Sequence, residues 1–161
     1  MIINGSALLA RAPILEMASE KITLAGGSYG LSEVGYDIRI KQDIRFHVDE
    51  DGPHISIDGV WRKGRFALAS SVEEFNMPDD LMAVGHDKST WARHGVQVFN
   101  TVAEPAWRGF LTLELVFNGE EAVHIPAGTG IMQMIFHKPM LAAEYVGKYQ
   151  DQEDAPVPPK T

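Results

Sequence analysis

The chain has 161 residues, a length that favours one domain and allows a core that needs no covalent staples. It contains no cysteine, which excludes disulfides, thiolate metal sites and a cysteine nucleophile. The formal net charge of −8 argues against a nucleic-acid partner, although a local group of lysines and arginines can still bind a small anion.

The apolar stretch at residues 1–17 is interrupted by Pro13 and lacks the basic start of a secretory signal. No apolar run reaches the length that spans a bilayer. We therefore expect a cytoplasmic protein without a membrane partner.

The first predicted element is a short helix at residues 4–11, for which Asn4 or Ser6 can provide the cap. Beyond it the pattern is typical of β-structure. Residues 36–40 alternate apolar and polar side chains, which predicts a half-buried strand, and residues 54–61 alternate in the same way. Short apolar runs bounded by glycine, proline or acidic residues predict further strands at 66–70, 95–100, 110–117 and 130–136.

Three connecting segments have patterns of their own. Residues 89–94 predict one helical turn capped by Ser89, and residues 125–136 predict a hairpin around Gly128 and Gly130. The proline-rich residues 151–161 predict a flexible or extended end. Many short strands separated by turns favour an all-β barrel or jelly roll.

Glu114 lies in the apolar run "LTLELVF". In a strand, Thr112, Glu114 and Val116 share one face, while the leucines between them face the other side. One interpretation is a solvated polar face. The other is a general base whose pKa is raised by burial, because a carboxylate in such a run is costly unless it is used.

The stretch "KSTWAR" combines two cations and two hydroxyls with the start of a helical turn. Lys88, Ser89, Thr90 and Arg93 can form a phosphate site there. The simpler interpretation is a capped surface turn whose Trp91 and Ala92 lie in the core.

Several other motifs, each taken alone, are more typical of a structural role than of a binding or catalytic site. Trp107, near Glu104, is either a ligand-stacking ring or part of the core. Residues 26–30 match a hydrolase nucleophile elbow around Ser28 in letters, but no helical pattern follows, so a glycine-rich turn is expected. Residues 146–152 are either a polar tail or a lid over an anion. The histidines lack the spacing of a zinc site.

Taken in order, these motifs resemble the dCTP deaminase branch of the trimeric dUTPase superfamily. The matching stretches read "GYDIRI", "KSTWARHG", "AEPAWRG", "FLTLEL", "PAGTGIMQM" and "YVGKYQDQ", and Glu114 follows Gly109 by five residues, as in that family. The match covers roughly residues 85–152 and the strand at 36–40. Residues 41–84 align only loosely.

The resemblance implies a distorted jelly roll with short helices and a homotrimer with active sites at subunit interfaces. It implies one dUTPase-like domain over residues 1–161, in which residues 145–161 form a flexible C-terminal lid. The expected partners are the deoxynucleotides dCTP and dUTP. Mg²⁺ is expected to arrive on the triphosphate, with no zinc and no metal bound by the protein itself.

The same resemblance implies the catalytic residues. Glu114 would be the general base that takes a proton from the water attacking C4 of cytosine. Ser89 would hold that water and contact phosphate, and Arg93 would lie against the base and orient Glu114.

The resemblance also implies the substrate-binding residues. Phosphate oxygens would contact Lys88, Ser89 and Thr90. The deoxyribose would pack on Trp107 with Glu104 near its 3′-hydroxyl, and the base edge would meet the strand backbone near Asn100 and Thr112. The triphosphate would be clamped by Gln133, Tyr145, Lys148 and Gln152.

Three functions fit these motifs. Deamination of dCTP is favoured by Glu114, since the sister dUTPases lack a glutamate on that strand, and some family members continue to dUMP and pyrophosphate. A dUTPase or related pyrophosphatase is the second. A non-catalytic nucleotide-binding jelly roll is the third, since Glu104 stands where the family has Asp. Asn100, at a usually small position, and Thr90, in place of Ser, leave the accepted nucleotide open.

Overall fold

A computed structural model describes residues 1–24 and 27–161. The described part of the chain is mostly β-structure with two short helices, α1 (Gly5–Arg11) and α2 (Ser89–Arg93). No helix within it is long and apolar enough to cross a membrane. The strands are β1 (Ile2–Ile3), β2 (Lys21–Leu24), β3 (Gly27–Leu31), β4 (Tyr36–Arg39), β5 (Ile44–Asp49), β6 (Gly52–Ile57), β7 (Val60–Lys63), β8 (Phe66–Asn76), β9 (Met82–Asp87), β10 (Val96–Val98), β11 (Val102–Ala103), β12 (Arg108–Phe117), β13 (Val123–Ile125) and β14 (Gly130–His137).

These strands form three antiparallel sheets. The largest runs in the order β11-β9-β14-β4-β3-β2, with β1 added to β14. A second sheet has the order β10-β12-β8, and a third has the order β13-β5-β6-β7. As described, the sheets do not close into a barrel, and the arrangement is the predicted distorted jelly roll.

The predicted strands exist, but two of them differ from the prediction in detail. Residues 54–61 form a hairpin between β6 and β7, because Asp58 and Gly59 adopt positive φ angles of 49° and 84° and make a two-residue turn. The strand at 36–40 is not half-buried, since Asp37 is buried along with its apolar neighbours. That polar residue has an ion-pair partner, which the alternation pattern does not reveal.

The two helices lie where they are predicted, but their caps differ. Asn4 is the N-cap of α1, yet its side chain donates a hydrogen bond to the Glu33 carbonyl at 2.8 Å and not to the helix. Ser6 lies inside α1. Helix α2 has Lys88 as its N-cap residue, and Ser89 is its first helical residue.

The predicted hairpin is wrong, and the predicted glycine-rich turn at residues 26–30 falls partly outside the described residues. Residues 125–136 do not form a hairpin, because β13 pairs with β5 whereas β14 pairs with β4 and β9. The turn after Pro126 therefore carries the chain from one sheet to another. In the glycine-rich stretch, Gly26 lies outside the described residues, and Ser28 belongs to β3, where it pairs with Thr23 of β2.

The core joins the sheets through large side chains. Phe46 of β5 and Phe117 of β12 stack with ring centroids 4.8 Å apart and an interplanar angle of 14°. Both rings are at most 1% exposed. Because β5 and β12 belong to different sheets, this pair fixes the second sheet against the third.

We expect Phe46→Ala to lower the free energy of unfolding by about 3–5 kcal/mol, since it leaves a cavity between two sheets. Chemical denaturation measures the loss. Val60→Ala is the control, because Val60 is 72% exposed and its truncation is expected to change stability by less than about 0.5 kcal/mol. Equal effects of the two substitutions would contradict this account of the core.

Candidate active site

Strand β12 presents Glu114 to a cavity of about 320 Å³, here called the Glu114 cavity. The alternation along β12 is as predicted: Leu113 and Leu115 are fully buried, while Thr112 and Glu114 are partly accessible on the opposite face. The volume is in the range of small-ligand sites. The cavity collects the predicted residues Glu104, Trp107, Thr112, Glu114, Tyr145 and Gln152.

Glu114 is held in a partly desolvated position. Burial raises the pKa of its carboxyl group above the usual value, opposed by a backbone hydrogen bond that lowers the pKa. A raised pKa means that the ionised carboxylate is a stronger base than an exposed one. The side chain is therefore suited to accept a proton.

Trp107 forms an apolar wall of the cavity. Its ring is 5% exposed and packs against Phe75 with a centroid distance of 5.8 Å. The indole N–H donates a hydrogen bond to the Tyr149 carbonyl at 2.6 Å. Glu104 is exposed at the rim, and its carbonyl accepts a hydrogen bond from the Trp107 backbone N–H at 3.1 Å.

The C-terminal segment crosses the cavity on the same chain. Gln152 is buried and forms a parallel bridge with Gly109, and its side-chain amide donates to the Thr112 hydroxyl. The Val157 backbone N–H donates to the same hydroxyl oxygen at 3.0 Å. Tyr145 lines the cavity as well. These contacts describe one docked position of the segment predicted to be a lid.

A second cavity, here called the Lys88 cavity, has a volume of about 390 Å³ and lies beside the start of α2. It contains the predicted residues Lys88, Ser89, Thr90 and Gln133. The Gln133 amide donates to the Ser32 hydroxyl at 3.0 Å. Hydroxyl and ammonium groups together are suited to phosphate oxygens.

Lys88 is paired with Asp37 of β4. The Lys88 ammonium donates to one carboxylate oxygen of Asp37, and both side chains are largely buried. The other Asp37 oxygen, Oδ1, is buried without a hydrogen-bond partner among the described residues. This ion pair fixes the ammonium at the cavity, because an unpaired charge at such a depth is costly.

Of the two residues of "KSTWAR" that are predicted to lie in the core, Trp91 and Ala92, only Trp91 does so. Trp91 is buried and donates its indole N–H to the Gly130 carbonyl at 2.9 Å, as expected of a structural residue. Ala92 is exposed, so its predicted place in the core is wrong. Helix α2 has only five residues, so it makes little more than one turn, and Trp91 is its buried residue.

Three predicted residues lie outside both cavities of the single chain: Arg93, Asn100 and Lys148, all exposed. The Lys148 ammonium donates to the Lys160 carbonyl and lies 5.5 Å from the centroid of the Tyr149 ring. No described residue lines both the Glu114 cavity and the Lys88 cavity. One chain thus separates the predicted base from the predicted phosphate residues.

Sequence reasoning missed several residues that build these cavities. Leu68 of β8 and Val157 of the C-terminal segment line the Glu114 cavity, and Asp37 holds Lys88. The polar side chain in "GYDIRI" is a signal for Asp37, since a carboxylate in a buried strand needs a partner. Leu68 had no such signal, because its place depends on the register between β8 and β12.

Within the described residues, no group of three or more histidine, aspartate or glutamate side chains is arranged to hold a metal ion. The binding of Mg²⁺ through a triphosphate stays a prediction.

The fold places the chain among the dUTPase-like jelly rolls. The dCTP deaminase from Agrobacterium tumefaciens superimposes with a TM-score of 0.59 over 86% of this chain and 48% of that chain, at 15% identity. The EIAV dUTPase superimposes with a TM-score of 0.52 over 84% of this chain and 91% of that chain, at 13% identity.

Sequence similarity identifies the family to which the chain belongs within this fold class. The dCTP deaminase-like family model matches residues 9–139, so the chain belongs to the dCTP deaminase-like family. The dCTP deaminase of Campylobacter curvus is 32% identical and covers 92% of this chain and 90% of its own. That of Paramagnetospirillum magneticum is 34% identical over 90% of both chains.

We expect Gly109→Ala to release the C-terminal segment. Gly109 has a φ of +123°, and an added Cβ would lie 2.4 Å from the Gln152 backbone nitrogen. Limited trypsin digestion at Lys148, followed by mass spectrometry, should then proceed several-fold faster than in the wild type.

Gly128→Ala is the matched control for this release. Gly128 also has a positive φ, +79°, but an added Cβ meets nothing within 4 Å. It therefore imposes backbone strain of about 1–3 kcal/mol without touching the segment. Equal cleavage rates in the two variants would show that the Gly109 contact does not hold the segment.

Proposed function

We propose that this protein catalyses the hydrolysis of dCTP to dUTP and ammonia, with Glu114 as the general base. The observation that carries the proposal is a partly buried carboxylate with a raised pKa, set beside Trp107 in a cavity of small-ligand size. Membership of the dCTP deaminase-like family and the dCTP deaminase relatives support the same reaction.

The chemistry assigned to Glu114 is a proton relay. The carboxylate takes a proton from water as the water oxygen bonds to C4 of the cytosine ring. The proton passes to N3, and a second transfer to the exocyclic nitrogen lets the C4–N bond break. Water and dCTP are consumed, and dUTP and ammonia leave. A base with a raised pKa suits this relay because it holds the transferred proton more firmly.

The nucleoside is assigned to the Glu114 cavity. Trp107 packs on the deoxyribose face and leaves no space for a 2′-hydroxyl, while Glu104 at the rim accepts from the 3′-hydroxyl. The β12 backbone near Thr112 reads the base edge, with Asn100 beside it. The Thr112 hydroxyl already accepts two hydrogen bonds from the C-terminal segment, so substrate binding and docking of that segment are linked.

The triphosphate is assigned to the cationic and hydroxyl groups. Lys88, Ser89 and Thr90 contact phosphate oxygens, and Ser89 also holds the attacking water. Arg93 lies against the base and orients Glu114. Mg²⁺ is part of the substrate and is carried by the triphosphate. The clamp over it consists of Gln133, Tyr145, Lys148 and Gln152.

A homotrimer would allow residues from the Glu114 cavity and the Lys88 cavity to form one active site. Because Glu114 and Lys88 line separate cavities of one chain, we assign each active site to two neighbouring subunits, one supplying Glu114 and the other the α2 residues. Residues 145–161 serve as the flexible lid of this single-domain subunit. The enzyme acts in the cytoplasm on free deoxynucleotides.

Further hydrolysis of dUTP to dUMP and pyrophosphate is the second candidate activity. It is favoured by the similarity of the fold to the EIAV dUTPase. A panel of dCTP, dUTP, dCMP and CTP, scored for both ammonia and pyrophosphate, separates the two reactions.

We expect Glu114→Gln to reduce ammonia release from dCTP by about 10²–10⁴-fold, because the amide cannot accept the proton. The shapes of the two side chains are alike, so dCTP affinity measured by calorimetry should change only a few-fold. Turnover as fast as that of the wild type would refute the role of Glu114. Tight binding without turnover in the wild type would select a nucleotide-binding module instead.

We expect two inactive variants to complement each other in mixed trimers. Ser89→Ala keeps Glu114 and Glu114→Gln keeps Ser89, so random mixing by co-expression restores one intact site in roughly four. Deamination should recover to about a quarter of the wild-type rate. Trimers, confirmed by light scattering, that show no recovery would place Ser89 and Glu114 of each site on the same subunit.

A further inference from the structure

Strand β8 places an apolar residue directly opposite the candidate base. In the register between β8 and β12, Leu68 pairs with Glu114, and both line the Glu114 cavity. Residues paired in this way have Cβ atoms about 4.5–5.5 Å apart on the same face of the sheet. The Leu68 side chain is thus the nearest cross-strand neighbour of the carboxylate on that side.

The position of Leu68 is fixed by its neighbours in the strand. Ala67 and Ala69, which point to the other face, are fully buried and pair with Leu115 and Leu113 of β12. A slip of one residue would turn these small core residues outward and Leu68 inward. The position of Leu68 is therefore fixed by the packing of its strand neighbours in the core.

We propose that Leu68 is a positioning residue for the reaction, which keeps water from the β8 side of the Glu114 carboxylate and so makes it a stronger base. The proposal rests on the assignment of Glu114 as the base in the proposed function. It adds a residue of β8 to a site that the sequence motifs place entirely on other segments.

The other groups facing Glu114 support this role. The titratable side chains around the cavity are Glu104 from the segment before β12, and Tyr145 and Tyr149 from the C-terminal segment. No lysine, arginine or histidine of the described residues lines the cavity. The remaining lining groups are apolar or neutral polar side chains.

Within one chain, burial is accordingly the leading cause of the raised pKa of Glu114, and no cation among the described residues opposes it. In the proposed trimer, Arg93 from a neighbouring subunit favours the ionised carboxylate and lowers the pKa. Leu68 acts in the other direction, since an apolar neighbour denies the anion the solvation that water would give. The balance of the two sets the pH at which the base becomes ionised.

The test is Leu68→Asn, which keeps the branched shape of the side chain but brings a hydrogen-bonding amide to the carboxylate. Leu68→Met is the conservative control that stays apolar. Val72→Thr, on the same strand but outside the cavity, is the control for a polar substitution in β8. Thermal denaturation of each variant checks that it is folded.

The first readout is the titration of the Glu114 carboxyl carbon by ¹³C NMR in the intact protein, assigned by its absence from Glu114→Gln. We expect the titration midpoint of Leu68→Asn to move to lower pH, while Leu68→Met and Val72→Thr keep the wild-type midpoint. A wild-type midpoint in Leu68→Asn would overturn the proposal, because the carboxylate would then be insensitive to its cross-strand neighbour.

The second readout is the pH dependence of kcat/KM for dCTP. Glu114 is active when ionised, so a lower pKa moves the acidic limb to lower pH, and the weaker base lowers the plateau several-fold. An unshifted limb alongside a shifted NMR midpoint would overturn the role of Leu68 as a positioning residue for the reaction. A shifted midpoint in a protein whose wild type releases no ammonia from dCTP would instead refute the proposed function.

Discussion

The pairing of β8 with β12 is the constraint on which the candidate site depends. This ladder joins Phe66–Asn76 to Arg108–Phe117 and has an irregular step between Phe110 and Thr112. One face of β12 gives its leucines to the core, and the other gives Thr112 and Glu114 to the cavity. The same buried face that stabilises the sheet thereby fixes where the carboxylate points.

Burial of charged groups recurs around β4, where each buried carboxylate has a cationic partner. Lys88 and Asp37 are joined as an ion pair, and Arg39 is paired with the buried Glu73 at 2.7 Å while its guanidinium lies 4.4 Å from the centroid of the Tyr29 ring. Asp37 lies on β4 and lines the Lys88 cavity, whereas Glu73 lies on β8 and also accepts a hydrogen bond from the Arg39 backbone N–H at 2.7 Å. Paired charges of this kind are costly to separate, so one pair favours a fixed position of β4 against the start of α2 and the other a fixed position of β4 against β8.

The sequence predicts the strands well where alternation is strong, as in β12, and it predicts the positions of the two helices but not their caps. It fails where the outcome depends on partners distant in the chain. The buried Asp37 needs Lys88, fifty-one residues away, and the turn after Pro126 links two sheets because β13 and β14 find different neighbours. Leu68 faces Glu114 through register alone, which no local pattern encodes.

The hydrogen bond from the Trp107 indole to the Tyr149 carbonyl couples the cavity wall to the chain terminus. When the terminus departs, a buried donor loses its acceptor, which costs about 1–3 kcal/mol unless water enters. Departure of the C-terminal segment therefore exposes Trp107, on which the deoxyribose is proposed to pack, to water. Because the indole of Trp107 is fluorescent, its emission reports whether the C-terminal segment is docked.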